Sequence, residues 1–178
     1  MKRVVVTGYG CITPIGNGVG AFRDSLFAGR AGIAAFNANF PGSLSDDPGL
    51  RFRTAAKVRD FDPTQHLSTG VVGSTESGAQ FAIVAARQAV AEHSLLERHD
   101  PASIAIVTGC ACGGRAADEE ANRHLYTRNA RVPPMTIVRT MASSGASNIA
   151  IDLGIAGPVL NISTACASAT HAIGHAFH

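Results

Sequence analysis

The chain has 178 residues, of which 46% are hydrophobic and 16% are charged; this composition is typical of a globular protein and excludes a disordered chain. Its formal net charge of +2 is too small to indicate a partner such as nucleic acid or an anionic membrane. No apolar run reaches the ~18 residues of a membrane span, and Met1 leads directly into a short β-branched run rather than a signal peptide.

The first part of the chain predicts one strand, one helix and a long irregular segment. The β-branched run at residues 3–8 predicts a buried strand, and the apolar spacing over residues 18–28 predicts a helix. Turn signals rich in proline, aspartate and glycine predict irregular structure over residues 36–68, interrupted by a short strand at residues 55–58.

The rest of the chain predicts alternating helices and strands. The predicted elements are a helix at 78–95, a buried strand at 103–108, a charged helix or surface excursion at 118–126, a helix of small residues at 139–153 that ends at Gly154, a strand at 159–163 and a helix from residue 165 onward. Strands that alternate with helices favour an α/β fold with a mostly parallel sheet, and the length favours one domain.

Two patterns that could hold a cofactor or a metal ion are incomplete. Gly8 and Gly10 follow the first strand, but the third glycine of a dinucleotide fingerprint would fall at Thr13. Three histidines share one face of the last predicted helix: His171, His175 and His178. They lack the glutamate of a metalloprotease motif and an obvious fourth ligand, so we expect no cofactor and no metal site.

Cys166 is the candidate nucleophile. It follows the extended apolar segment 159–162 and opens a run of small residues that predicts a helix. A thiol at a strand-to-helix turn lies beside free backbone N–H groups and the positive end of a helix dipole, and both favour the nucleophilic thiolate. Composition alone would favour the alternative, a small buried residue. His171 would lie roughly 140° around the helix from Cys166, so the sequence offers no histidine as its base.

The other three cysteines, Cys11, Cys110 and Cys112, lie in apolar or glycine-rich contexts and are expected to be buried. Cys110 and Cys112 are a poor disulfide pair, because residues this close on a strand cannot bring their sulfurs together. Free cysteines of this kind are typical of the reducing cytoplasm, which is therefore the expected compartment.

The segment around Cys166 resembles the nucleophile turn of the β-ketoacyl-acyl carrier protein synthases, the condensing enzymes of fatty-acid and polyketide synthesis. Further segments resemble the same family in the same order: residues 1–32, 107–114, 141–145 and 153–158. The resemblance implies an α/β fold, specifically the N-terminal half of a thiolase-like layered αβαβα fold with a mixed, mostly parallel sheet, over residues 1–178. Family members are about twice this long.

The resemblance also implies a mechanism and a set of site residues. Cys166 would accept an acyl group as a thioester, with its own backbone N–H as an oxyanion donor, before decarboxylative condensation with malonyl-carrier protein. Ile137 and Met141 would line the acyl pocket, and Cys112 would lie at the pocket floor. The family's two catalytic histidines and its lysine would lie beyond residue 178, so residues 1–178 alone are expected to be inactive.

The implied partners are an acyl carrier protein, acyl and malonyl thioesters, and a second copy of the chain paired through strand 159–163. Residues 68–79 lack the basic helix start with which the family docks its carrier protein, and the alternative basic cluster is Arg123, Arg128 and Arg131. Two other functions stay open: a non-catalytic fragment or heterodimer partner of a ketosynthase, and a cysteine-dependent acyl-thioester hydrolase.

Overall fold

The computed structural model of the protein describes residues 3–35, 54–128 and 130–178. Most of the predicted irregular segment therefore lies outside the described residues. The chain folds into two compact units, a smaller one within residues 11–61 and a larger one that combines residues up to Gly10 with those from Asp62 onward. Within the described residues, none of the helices combines the length and the apolar character that a membrane span requires.

The smaller unit contains two short antiparallel strand pairs and one helix. Its elements are β1 (Ile12–Thr13), β2 (Gly16–Asn17), α1 (Val19–Phe27), β3 (Ile33–Ala35) and β4 (Thr54–Ala56), with β1 paired to β2 and β3 to β4. The predicted helix is confirmed, and the predicted short strand is present about one residue earlier. Strand β3 was not predicted, because its pairing partner lies outside the local sequence.

The larger unit contains the remaining helices and one parallel strand pair. Its elements are α2 (Thr69–Ser74), α3 (Ser77–Ala91), α4 (Leu95–Arg98), β5 (Ile106–Gly109), α5 (Arg115–Tyr126), α6 (Thr136–Thr140), α7 (Ser144–Leu153), β6 (Val159–Ile162) and α8 (Ser168–Phe177). The core lies between α3 and α7, where Ile83 and Ala146 are at most 1% exposed.

Strands β5 and β6 are parallel, with Ile106 opposite Val159 and Gly109 opposite Ile162. Both α7 and α8 contact this pair. The α/β class is confirmed by this arrangement. Of the three strand pairs in the described residues, however, only this one is parallel, so the mostly parallel sheet expected from the sequence is not visible in them.

Residues 3–8 do not form a strand, so this prediction is wrong. No described segment pairs with them, and three of their valines are 51 to 74% exposed. The segment instead lies against α3, where a side chain at Gly8 or Gly10 would collide with helix carbonyl oxygens. A β-branched run becomes a strand only where a second strand pairs with it, and the local sequence does not reveal that partner.

The predicted small-residue helix at 139–153 is divided into α6 and α7. The backbone of Met141 is extended, with φ −64° and ψ 136°, and this ends α6 before α7 begins at Ser144. The predicted C-terminal end at Gly154 is confirmed for α7: Gly154 follows this helix in a left-handed conformation with φ 65°. Glycine is the usual residue at this position, because it carries no Cβ to clash.

Arg87 of α3 connects this helix to α7. Its guanidinium donates hydrogen bonds to the two carboxylate oxygens of Asp152 at 2.7 and 2.5 Å, and a third to the carbonyl of His66. The side chain of Asp152 is only 12% exposed, whereas that of Arg87 is 43% exposed. Hydrogen bonding to Asp152 raises the pKa of Arg87 above its usual value.

Replacing Arg87 should therefore destabilise the larger unit. We expect Arg87→Ala to lower the free energy of unfolding by roughly 1–2 kcal/mol, because it leaves a mostly buried carboxylate without its partner. The matched control is Arg115→Ala, which removes a pair at 3.4 Å between side chains 76% and 45% exposed, and which should cost less than about 0.5 kcal/mol. Urea titration measures both, and equal losses for the two variants would contradict this account.

Candidate active site

Cys166 lies on a turn between β6 and α8. Strand β6 ends at Ile162, a single 3₁₀ turn covers Ala165–Ala167, and α8 begins at Ser168. The cysteine is exposed. The strand-to-helix turn predicted from the sequence is confirmed, and the alternative of a small buried residue is wrong.

The backbone before Cys166 is strained. Ala165 has φ 50°, in the left-handed region that residues with a Cβ avoid. Thr164 is also irregular, with φ −136° and ψ 47°. Such conformations cost roughly 1–3 kcal/mol each and persist only where neighbouring contacts enforce them.

Those contacts include two hydrogen bonds made by one buried hydroxyl. Ser168 is 4% exposed, and its Oγ accepts a hydrogen bond from the N–H of Thr164 at 2.9 Å. The same hydroxyl donates to the carbonyl of Ala165 at 2.7 Å. The two bonds close a ring around Cys166, so the strained turn is held from within the first turn of α8.

The backbone N–H of Cys166 has no hydrogen-bond acceptor among the described residues. The 3₁₀ turn uses the N–H groups of Ala167 and Ser168, which donate to Thr164 and Ala165. The first N–H groups of a helix have no intrahelical acceptor, and they carry the positive end of the helix dipole. The N–H of Cys166 is therefore available to an oxygen that develops negative charge beside the sulfur.

The loop that carries Cys112 is tied to the strand that leads to the nucleophile. The side-chain amide of Asn161 donates to the carbonyl of Cys110 at 3.2 Å, and Oγ of Ser163 donates to the carbonyl of Ala111 at 3.1 Å. Cys112 itself is exposed, which corrects the expectation that it is buried. These two hydrogen bonds hold the loop after β5 against β6, the strand that precedes Cys166.

Ile137 and Met141, the other predicted site residues, lie on or just after α6. Ile137 is 70% exposed and Met141 is 49% exposed. Met141 also lines a cavity of about 240 Å³ together with Cys110, whereas neither Ile137 nor Cys112 is among the described residues that line it. In the described residues, the three predicted site residues therefore do not line one common cavity.

The cavity extends to the end of β5, against which α8 also packs. Thr108, Gly109 and Cys110 all line the cavity, and Gly109 also abuts α8: a Cβ there would lie 2.4 Å from the carbonyl oxygen of Ser168. Cys166 itself is not among the described residues that line the cavity.

No described residue hydrogen-bonds to the sulfur of Cys166. The histidines of α8 are exposed, as the helical spacing predicts for residues that point away from the nucleophile. No group of three or more histidine, cysteine or acidic side chains in the described residues could hold a metal ion. The described site therefore consists of a nucleophile and an N–H donor.

The chain matches the model of the β-ketoacyl synthase N-terminal domain over residues 1–178. It belongs to this family. A 3-oxoacyl-[acyl-carrier-protein] synthase 2 of Synechocystis sp. is 35% identical over 99% of the chain, and the enzyme of the same name from Coxiella burnetii is 31% identical over 98%. The chain spans about 41% of the length of each of these curated relatives.

The fold is also similar to that of solved ketosynthases. The ishigamide ketosynthase/chain length factor superposes with a TM-score of 0.83 and 25% sequence identity over 97% of this chain, which corresponds to 42% of that chain. The resemblance inferred from the sequence motifs is thereby confirmed. Ser168 is the residue of the nucleophile turn that sequence reasoning missed. A serine in the first turn of a helix does signal a hydroxyl that bonds to nearby backbone.

Cys166 should be the most reactive thiol of the protein. Cys112 is its main competitor, because both are exposed, whereas Cys11 and Cys110 are only partly exposed. Exposure alone therefore does not predict which of these two thiols reacts faster. Cys166 is favoured because it lies at the N-terminus of a helix. With limiting iodoacetamide, mass spectrometry should find the first adduct on Cys166, and Cys166→Ala should remove the fast phase. Predominant labelling of Cys112 would count against the assignment.

Proposed function

We propose that the protein is a β-ketoacyl-acyl carrier protein synthase in which Cys166 carries the acyl group. The observation that carries this proposal is an exposed thiol on a strained strand-to-helix turn, whose own N–H has no acceptor among the described residues. Membership of the β-ketoacyl synthase family supports it. Relatives that are 35% identical include both a 3-oxoacyl-[acyl-carrier-protein] synthase 2 and a putative polyketide beta-ketoacyl synthase, so fatty-acid and polyketide synthesis both fit the proposal. The free cysteines favour the reducing cytoplasm as the setting.

The first half-reaction is acyl transfer. The sulfur of Cys166 attacks the thioester carbonyl of the acyl-carrier protein, and the N–H of Cys166 donates to the oxyanion that forms. The carrier thiolate then leaves, so one thioester bond forms as another breaks. In the second half-reaction, malonyl-carrier protein loses CO₂, the resulting enolate carbon attacks the acyl carbonyl, and the Cys166 thiolate is released.

The acyl chain extends from Cys166 into a pocket to which Ile137, Met141 and Cys112 contribute. The hydrogen bonds from Asn161 and Ser163 to the loop before Cys112 support a position of this cysteine near the nucleophile. Ile137 of α6 and Met141, directly after this helix, both expose large apolar side chains, as one wall of an incomplete pocket would. Residues outside the described part complete this pocket.

The base and the groups that stabilise the enolate also come from outside residues 1–178. Cys166 has no hydrogen-bonding histidine among the described residues, and the chain spans only about 41% of its curated relatives. We therefore assign residues 1–178 as the N-terminal half-domain of a layered αβαβα thiolase-like fold. Its described residues place no base and no enolate-stabilising group at Cys166.

The carrier protein docks on the basic cluster that includes Arg123, Arg128 and Arg131. Arg123 already pairs with Glu119 at 2.6 Å. Arg128 and Arg131 are exposed and carry no acidic partner in the described residues, so they are available to an acidic surface. The start of α2, capped by Ser68, contains no basic side chain that could serve instead.

Acylation of Cys166 tests the proposed function directly. When the complete protein is incubated with an acyl-carrier protein, intact mass should increase by one acyl group, and digestion should locate it on Cys166. Cys166→Ala should abolish the adduct and lower condensation more than about 1,000-fold, because the covalent step is lost. Cys110→Ala is the matched control and should retain both.

Two outcomes would contradict the proposal. Release of free fatty acid without condensation with malonyl-carrier protein would indicate a cysteine-dependent acyl-thioester hydrolase. An unacylated Cys166 in a folded protein would indicate a non-catalytic partner of a ketosynthase.

We further propose a homodimer through β6. In the described residues β6 pairs on one side only, with β5, and its Val159 and Leu160 are 37% and 43% exposed. A strand edge with unpaired backbone groups and exposed apolar side chains is suited to pairing with a second copy about a two-fold axis.

A charge on β6 should dissociate this dimer. We expect Leu160→Asp, and likewise Ile162→Asp, to shift the sedimentation coefficient from dimer to monomer, because each would bury an unpaired carboxylate at the interface. The matched control is Leu26→Asp in α1, a leucine 57% exposed that lies outside β6. An unchanged dimer in both β6 variants, with the melting temperature preserved, would rule out this interface.

A further inference from the structure

We propose that Ser168 is a positioning residue that holds Cys166 in its reactive geometry. Its side chain touches no reacting atom. It accepts from the N–H of Thr164 at 2.9 Å and donates to the carbonyl of Ala165 at 2.7 Å. One hydroxyl therefore holds two backbone groups in the segment before Cys166, the N–H of Thr164 and the carbonyl of Ala165.

The position of Ser168 is itself fixed from the strand side. The backbone of Gly109 lies so close to Ser168 that a Cβ would stand 2.4 Å from the carbonyl oxygen and 2.6 Å from the nitrogen of Ala169. Ser168 is also one of only two buried residues of α8. The end of β5 thus determines where the hydroxyl lies, and the hydroxyl determines the turn.

The conformation of Ala165 explains why the turn needs such a restraint. At φ 50° this alanine would relax toward the right-handed region once the bonds to Ser168 were lost. Relaxation would rotate the following peptide group, which contains the N–H of Cys166, and would move the sulfur. The thiol would leave the helix N-terminus, and the oxyanion donor would point elsewhere.

This inference deepens the proposed function, and its effect on condensation rests on that function. Its effect on the thiol does not, because alkylation of Cys166 needs neither a carrier protein nor a second substrate. Measuring both reactions in the same variants therefore separates the two proposals.

The test compares four variants of the complete protein: Ser168→Ala, Ala165→Gly, the double variant and Ser144→Ala. In Ser168→Ala we expect the second-order rate constant for iodoacetamide at Cys166 to fall about tenfold, from the loss of two hydrogen bonds. Ser144→Ala removes a hydroxyl that is 7% exposed in α7, and it should leave the rate unchanged.

Rescue distinguishes positioning from a general loss of stability. Glycine adopts positive φ without strain, so Ala165→Gly in the Ser168→Ala background should restore the alkylation rate to within about threefold of the parent. If Ser168→Ala does not fold, a folded double variant with an alkylation rate within about threefold of the parent still supports the role of Ser168, and a double variant with about a tenth of the parent rate overturns it. For condensation, kcat should fall while the KM for the acyl substrate stays nearly constant, since the pocket is untouched.

Each outcome decides one proposal. An alkylation rate in Ser168→Ala equal to that of the parent would overturn the role of Ser168, and so would a loss that Ala165→Gly does not reverse. A loss with rescue in a protein that never condenses would support Ser168 and overturn the proposed function instead.

Discussion

The close approach of β5 to α8 at Gly109 is the constraint on which the nucleophile turn depends. Any side chain at this position would meet the backbone of Ser168 at 2.4 Å, which real Cβ atoms do not tolerate. The first turn of α8 is therefore located by direct backbone packing against a strand rather than by a flexible loop. A nucleophile on such a turn is held by two regular elements, which is the arrangement that preserves catalytic geometry.

The same packing explains how a left-handed alanine can persist. A glycine at position 165 would relieve the strain, but it would also allow many other conformations. Alanine restricts the backbone more, and the two bonds from Ser168 select the one conformation that closes the ring. The turn is thus strained and specific at once, which is a common combination at functional sites.

The sequence predicted those parts of the structure that depend on local information. The helix after Cys166, the strand before it and the glycine that ends α7 follow from apolar spacing and from the conformational freedom of glycine. Pairing is non-local, which is why residues 3–8 were wrongly predicted as a strand and β3 was missed. The division between α6 and α7 was also missed, because Met141 carries no helix-breaking signal.

The residues of the candidate site likewise differ in whether local sequence predicts them. Cys166 was found from the sequence because a thiol at a strand-to-helix turn is a local pattern. Ser168 was not, because its role follows from two hydrogen bonds and from the position of β5, which lies about 60 residues earlier in the chain. Ile137 and Cys112 do not line the cavity that Met141 lines, and neither periodicity nor spacing predicts which side chains of other segments lie near them.

Under the proposed function, the two half-reactions make different demands on this chain. Acyl transfer needs a reactive thiol and an oxyanion donor, and the turn at Cys166 supplies both through the start of α8. Decarboxylation generates an enolate, and its negative oxygen needs cationic groups or N–H donors. Apart from the N–H of Cys166, no described residue places such a donor beside the nucleophile. Within the described residues, the groups that lie beside the nucleophile are the N-terminus of α8 and the backbone N–H of Cys166. The described turn thus provides for acyl transfer, whereas decarboxylation depends on donors that the proposed function assigns to residues beyond 178.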